Sequence, residues 1–185
     1  MLEHEVEWPV KKVTFISQAE TERLEPAAGA AMISITDPDK PSASLGLWEP
    51  LDRNSFYDGG YSGNTIRTMK AAFRMNYVSC IDSSRAERLS SFLNRLAGSC
   101  VDHIFVYCYY GESRSGAVAL YLQNKHGFIA HKPITKPNRT VYELLCVPTK
   151  YELLIQGHEA QYIDEEIPIH IKIWDFLLVV VGLRR

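Results

Sequence analysis

HIFVYC, residues His103–Cys108, is an unbroken run of strand-forming side chains. A run without polar alternation is expected of a strand that is covered on both faces, as in a parallel sheet. Gly111 interrupts this pattern, and residues 115–125, SGAVALYLQNK, then favour a helix. The stretch therefore predicts a buried strand, a tight loop and the first turn of a helix, in that order.

Segments with the periodicity of strands and helices precede this stretch. Strands are expected at residues 12–17 (KVTFIS), 31–36 (AMISIT) and 53–57, and helices at residues 84–96 and along the face formed by Ile66, Met69 and Phe73. Strands interleaved with helices predict an α/β fold, in which helices flank a central, mostly parallel sheet. Ligands of such sheets bind beyond the carboxyl ends of the strands, which is where residues 108–114 stand.

No internal repeat, low-complexity segment or long polar linker divides the chain, so one domain is expected over residues 1–185. Residues 150–185 are expected to be a C-terminal extension of this domain. Within it, residues 167–173 alternate as an edge strand does, and residues 174–183 are strongly apolar. The extension either completes the core or forms a dimer face, and the sequence leaves the oligomeric state open.

The composition is that of an ordinary soluble globular protein, with 46% hydrophobic and 23% charged residues. A net charge of -2 gives no dominant basic surface, so nucleic acid is not an expected partner. The four cysteines form no CxxC pair and have no zinc-ligand spacing, which favours free thiols in a reducing compartment. The longest apolar run, residues 176–183, is far shorter than the roughly 20 residues of a membrane span. With no apolar leader near residue 1, a cytoplasmic protein without a membrane partner is expected.

The loop after Cys108 has the properties of an anion site. Backbone N–H groups of a tight loop that enters a helix converge on a ligand, and the helix dipole adds positive potential. Gly111 permits backbone angles that a side chain would forbid. Arg114 can present two parallel donors to two phosphate oxygens. The predicted phosphate-binding residues are Tyr109, Tyr110, Gly111, Glu112, Ser113 and Arg114.

The same positive field favours the thiolate form of Cys108, which would attack phosphorus and form a thiophosphate. Ser115 would donate a hydrogen bond to the sulfur when this intermediate breaks down. The scheme needs no metal and no other cofactor. On spacing alone, a buried strand cysteine and a solvated Arg114 are an equally good interpretation. The preceding strand, Gly111 and the Ser-Arg-Ser ending favour the anion site, and no other cysteine has an arginine six residues later.

Residues 108–115, CYYGESRS, resemble the signature loop of the dual-specificity branch of the protein tyrosine phosphatase superfamily, usually written HCxxGxSRS. The similarity to compact bacterial and phage members covers roughly residues 12–148, through residues 31–37, 56–58 and 136–144. It implies a phosphatase fold and hydrolysis of phosphotyrosine or mixed phosphoprotein monoesters, with a phosphorylated protein or peptide as partner. The sequence departs from the family at Tyr107, where the usual histidine organises the loop and promotes the nucleophile.

The family takes its proton donor from an aspartate on a neighbouring loop, and the candidates are Asp52, Asp58 and Asp82. Asp58 is preferred because Phe56, Tyr57 and Asp58 resemble the family's acid-bearing segment. Asp82 lies nearer to the cysteine in sequence but also suits a helix N-cap. Asn138 either bonds near the loop, as the similarity suggests, or caps the helix that starts there.

Two other functions remain open. Tyr107 is compatible with a module that binds phosphorylated partners without turnover, and the family also includes phosphatases of RNA ends and of small phosphorylated metabolites. Glu112 stands where phosphoinositide-directed relatives tend to carry lysine, so a highly anionic headgroup is less expected. Tyr109 and Tyr110 either line the mouth of the pocket or pack on the body of the protein.

Overall fold

A five-stranded sheet organises the chain in the computed structural model, which describes residues 10–69 and 71–157. The strands are β1 (Lys12–Ser17), β2 (Ala30–Thr36), β3 (Leu51–Ser55), β4 (His103–Cys108) and β5 (Ile129–Ala130). They lie in the order β3-β2-β4-β1-β5, and all neighbouring pairs are parallel. The predicted α/β class and parallel sheet are confirmed, with the apolar run of β4 at the centre of the sheet.

Four helices flank this sheet: α1 (Gln18–Thr21), α4 (Ser83–Ala97), α5 (Arg114–His126) and α6 (Arg139–Cys146). Two more, α2 (Gly63–Met69) and α3 (Ala71–Tyr77), belong to a separate compact unit. α5 packs on β1 and β4, and α6 packs on α4 and α5. α4 buries the stripe that contains Leu89, Leu93 and Leu96, because these side chains recur at helical spacing. No helix among the described residues combines the length and apolar character that crossing a bilayer requires.

The described residues group into two compact units. The first contains residues 10–60 and 79–150, with the whole sheet and α1, α4, α5 and α6. The second contains residues 61–69, 71–78 and 151–157, and in it the rings of Phe73, Tyr77 and Tyr151 surround the buried Tyr61. One domain over residues 1–185 stays a prediction. The expected strand at 167–173 and the apolar segment at 174–183 lie outside the described residues.

β3 differs from its expected position at residues 53–57. Its ladder with β2 runs from Leu51 to Ser55. The N–H of Phe56 still donates to the carbonyl oxygen of Thr36 in β2. The N–H of Tyr57 donates instead to the carbonyl oxygen of Ser79, which is outside the sheet. Residues 56–58 therefore leave the sheet at the carboxyl end of β3, where a connecting segment can reach a site.

The parallel arrangement brings several strand ends to one edge of the sheet. Ser17 of β1 lies opposite Cys108 of β4 in the ladder, and Ser34 of β2 lies opposite Tyr107. The segments that continue from β1, β2, β3 and β4 therefore begin at the same edge. The side chains of the candidate site come from these segments and from the start of α6.

Candidate active site

Cys108 is the last residue of β4, and its side chain is buried. Residues 109–113 form the loop that leads into α5, which begins at Arg114. Gly111 has a φ of 72°, and a Cβ atom there would lie 2.3 Å from the carbonyl carbon of Ile16 and from the nitrogen of Ser17. The loop thus lies directly against the end of β1, and only glycine fits at this position.

The backbone N–H groups of the loop have no acceptor within the part of the chain that the structure describes. The first helical bond of α5 runs from the N–H of Gly116 to the carbonyl oxygen of Glu112, over 3.1 Å. The N–H groups of residues 109–115 donate to no other protein group there. Unpaired N–H groups at a helix N-terminus favour an anionic ligand, as the sequence predicts for this loop.

Cys108 and Ser115 meet across the loop. The sulfur lies 3.2 Å from the Ser115 hydroxyl, and both side chains are buried. Ser115 stands in the first turn of α5, so the loop curves back and brings its end to its beginning. In the thiolate form of Cys108, the hydroxyl is the donor and the sulfur the acceptor.

The guanidinium of Arg114 is held along one edge and unpaired along the other. Nη1 donates to the carbonyl oxygen of Phe56 (2.6 Å) and forms an ion pair with Oδ1 of Asp37 (2.7 Å). Only 2% of Arg114 is exposed, and its Nε has no partner among the described residues. An unpaired buried donor is costly, so the edge formed by Nε and Nη2 is suited to two oxygens of one anion.

Asp37 was missed as a site residue. In the sequence it belongs to the dense turn signal of residues 37–41, and nothing local connects it with Arg114. Its position was the available signal, since it is the first residue after β2 and therefore stands at the carboxyl edge of the sheet.

Asp58 lies beside the loop, although it is 55 residues away from Ser113 in the sequence. Its Oδ1 accepts hydrogen bonds from the Ser113 hydroxyl (2.8 Å) and from Nδ2 of Asn138 (2.7 Å). Asn138 also caps α6 by accepting the N–H of Val141 at 3.0 Å. The two alternatives for Asn138, a bond near the loop and a helix cap, are therefore both realised.

The other candidate acids are bound to the region of α4. Asp82 caps this helix, because its Oδ1 accepts the N–H of Arg85 and its Oδ2 pairs with the Arg85 guanidinium at 2.7 Å. Asp52 pairs with Nη1 of Arg88 at 2.6 Å. Of the three aspartates, Asp58 is the one that bonds to a residue of the loop.

Tyr107 has a supporting position. It is completely buried, and its hydroxyl oxygen accepts hydrogen bonds from the Ser34 hydroxyl (2.6 Å) and the N–H of Ala43 (3.2 Å). Its ring packs in a cluster with Met32 and Trp48. The family that the loop resembles has a histidine at this position. In this chain, the Tyr107 side chain instead connects β4 with β2 and with the segment after β2.

The side chains at the outside of the loop are accessible. Tyr109 and Tyr110 are 52% and 78% exposed, and their rings meet edge to face with centroids 4.8 Å apart. Glu112 pairs with Lys136 at 3.7 Å, and both are exposed. This exposure disfavours the alternative in which the two rings pack on the body of the protein.

All four cysteines are free thiols. Cys80 is buried, and burial is the main reason why the pKa of its thiol is raised. The carboxylate of Asp58 raises this pKa further, while the N–H of Gly59 lowers it. Cys80 is therefore a protonated thiol at neutral pH, in the neighbourhood of the segment that carries Asp58.

Comparisons of the chain with models of protein families, with curated protein sequences and with solved structures give no significant match. What the site does chemically has therefore to follow from its own residues and their geometry.

Proposed function

We propose that the chain is a cysteine-dependent phosphatase that hydrolyses phosphate monoesters on proteins or peptides, phosphotyrosine among them. The observation that carries the proposal is the half-paired guanidinium of Arg114. It is buried, anchored through Nη1 and unpaired at Nε, on the same loop that carries the thiol of Cys108. A dianionic phosphate matches both this edge and the unpaired N–H groups of residues 109–115.

In the first step, the thiolate of Cys108 attacks phosphorus. The S–P bond forms, the P–O bond to the leaving group breaks, and its electron pair goes to the leaving oxygen. That oxygen takes a proton from Asp58. Oδ1 of Asp58 already accepts from Ser113 and Asn138, so Oδ2 is the oxygen that carries the proton.

In the second step, water attacks the thiophosphate and gives its proton to the carboxylate of Asp58. The S–P bond breaks, and its electron pair returns to the sulfur of Cys108. Ser115, whose hydroxyl lies 3.2 Å from this sulfur, stabilises the departing thiolate by donating a hydrogen bond. Inorganic phosphate leaves, and Asp58 and Cys108 are in their starting states.

The experiment that tests this proposal is hydrolysis of para-nitrophenyl phosphate by freshly reduced protein, between about pH 5 and 8, in a buffer that contains a metal chelator. Cys108→Ser should abolish turnover. Cys100→Ser is the matched control, because it makes the same change at an exposed cysteine outside the loop. Turnover that survives Cys108→Ser would refute the thiol mechanism. Absence of turnover in the reduced wild type, with binding of phosphopeptides retained, would favour the phosphate-reading module.

The substrate class is the second question for the same assay. Exposed Tyr109 and Tyr110 support a substrate with an aromatic ring, and the carboxylate of Glu112 disfavours a crowded polyanion. Phosphotyrosine and phosphoserine peptides, RNA with a terminal phosphate and small sugar phosphates should be compared by kcat/KM. A preference for RNA ends or for a small metabolite would exclude the phosphoprotein assignment. We further propose a cytoplasmic location, since a catalytic thiol needs a reducing compartment.

A further inference from the structure

We infer that Asn138 is a positioning residue that orients the carboxyl group of Asp58, the proton donor. This inference rests on the proposed phosphatase function. Asn138 stands before α6, outside the loop that holds Cys108 and Arg114. Its side chain nevertheless bonds to Asp58, 80 residues earlier in the chain, at 2.7 Å. It thereby connects the segment after β3 with the start of α6.

The amide of Asn138 can have only one orientation. Its oxygen accepts the N–H of Val141 at 3.0 Å, and its nitrogen donates to Oδ1 of Asp58 and to the carbonyl oxygen of Gly59 at 3.2 Å. Rotating the amide by half a turn would place its oxygen against two other acceptors and its nitrogen against a donor. Since Asn138 is also buried, the direction of its N–H bonds is fixed.

The backbone of Asn138 ties the same point to the phosphate loop. Its N–H donates to the carbonyl oxygen of Ser113 at 2.9 Å, and the Ser113 hydroxyl donates to Oδ1 of Asp58 at 2.8 Å. Asp58, Ser113 and Asn138 therefore form a closed set of three hydrogen bonds. The loop and the acid-bearing segment keep their spacing through this set.

The hydrogen bonds from Ser113 and Asn138 decide which oxygen of Asp58 transfers the proton. Asp58 is an exposed residue, so without partners its carboxyl group would rotate among several rotamers. Two donors on Oδ1 stop this rotation and leave Oδ2 for the proton. Transfer requires the donor oxygen to be within hydrogen-bond reach of the leaving oxygen, and small misplacements are costly.

The test uses leaving groups that differ in their need for a proton. Dinitrophenolate leaves unprotonated, whereas phenolate leaves poorly without a proton. Asn138→Ser should lower kcat/KM for phenyl phosphate by about tenfold or more, and for dinitrophenyl phosphate by less than about twofold. Serine is chosen because it still caps α6 but is too short to reach Asp58. kcat/KM is measured because it includes departure of the leaving group.

Two further variants separate aiming from stability. Ser113→Ala removes the other donor to Asp58 without touching α6, and it should show the same selective loss on phenyl phosphate. Asn124→Ser is the matched control, because Asn124 also bonds to α6, through the hydroxyl of Tyr142 at 3.1 Å, but not to Asp58. It should leave both substrates within about twofold of the wild type.

A reduced fraction of folded protein would lower both rates by the same factor. Equal losses on the two substrates, or no loss on phenyl phosphate, would therefore overturn the role of Asn138 and leave the phosphatase proposal intact. Lack of any Cys108-dependent turnover in the wild type would overturn both together.

Discussion

Gly111 and Gly127 form a natural pair for testing how closely the loop of residues 109–113 fits the end of β1. Both have a φ of 72°, where alanine costs about 1 kcal/mol. A Cβ atom at Gly127 would have nothing within 4 Å, so Gly127→Ala should cost only this backbone strain. For a chain of this size that corresponds to a melting temperature lower by about 2–4 °C. Activity should be unchanged.

Gly111→Ala adds a collision to the same strain. The Cβ atom would lie 2.3 Å from the carbonyl carbon of Ile16 and 2.7 Å from its oxygen, while non-bonded carbons prefer about 3.5–4.0 Å. β1 is held along its whole length by β4, so the loop has to move, by about 1 Å or more. Such overpacking should cost about 1–3 kcal/mol beyond the backbone strain. A displacement of this size should lower kcat/KM by about 100-fold.

Urea unfolding of the two variants and of the wild type gives the free energies of unfolding, and hydrolysis of para-nitrophenyl phosphate gives the rates. The difference between the variants isolates the collision, because the backbone strain is common to both. If Gly111→Ala matched Gly127→Ala in stability and retained wild-type kcat/KM, the close approach of the loop to β1 would be refuted.

Three other predictions concern single side chains. Tyr107→Phe should lower the free energy of unfolding by about 1–3 kcal/mol in a urea titration, because two buried donors lose their acceptor; an unchanged midpoint would contradict the bracing role. Asp58→Asn should lower kcat/KM for phenyl phosphate by about 100-fold or more, and the reverse result, a loss with Asp82→Asn instead, would move the proton donor to the cap of α4. The pKa of His103 is lowered, mainly by burial. As the pH falls through the ordinary histidine value of about 6.5, the unfolded chain therefore takes up a proton more readily than the folded chain, and stability falls. His103→Gln should make the melting temperature less dependent on pH around this value, and an equally steep dependence would exclude His103 as a contributor.

The strand, the loop and the helix at the centre of the site could be predicted from the sequence because their signals are local. The apolar run gave β4 with the bounds His103–Cys108, and Gly111 marked the turn that the structure places against β1. α5 begins one residue earlier than the helical pattern indicated, at Arg114. β5, with two residues, is too short for any periodicity to indicate it.

The side-chain pairs that join distant segments of the chain could not be predicted, unlike the local pair of Cys108 and Ser115. The chain contains several aspartates near strand ends, and their types and spacings do not say which one reaches the guanidinium of Arg114 and which one reaches Asn138. Asp37 and Asp58 are selected by the order and register of β2, β3 and β4, which is a property of the whole sheet. The similarity of residues 56–58 to a phosphatase segment favoured Asp58, and it said nothing of Asp37.

Three hydrogen bonds of the site join residues that are far apart in the chain. Ser113 and Asp58 are separated by 55 residues, Arg114 and Phe56 by 58, and Asn138 and Asp58 by 80. Contacts of such long range form only after the chain has paid most of its loop-closure entropy, so the site is completed late in folding. A nascent or truncated chain that ends after α5 would contain Cys108 and Arg114 but not Asn138, which bonds to Asp58. An oxyanion bound at this site would conversely stabilise the folded form, by about 2.7 kcal/mol at a concentration of 100 times its Kd. The free energy of unfolding should therefore increase with the fraction of the site that is occupied by an oxyanion.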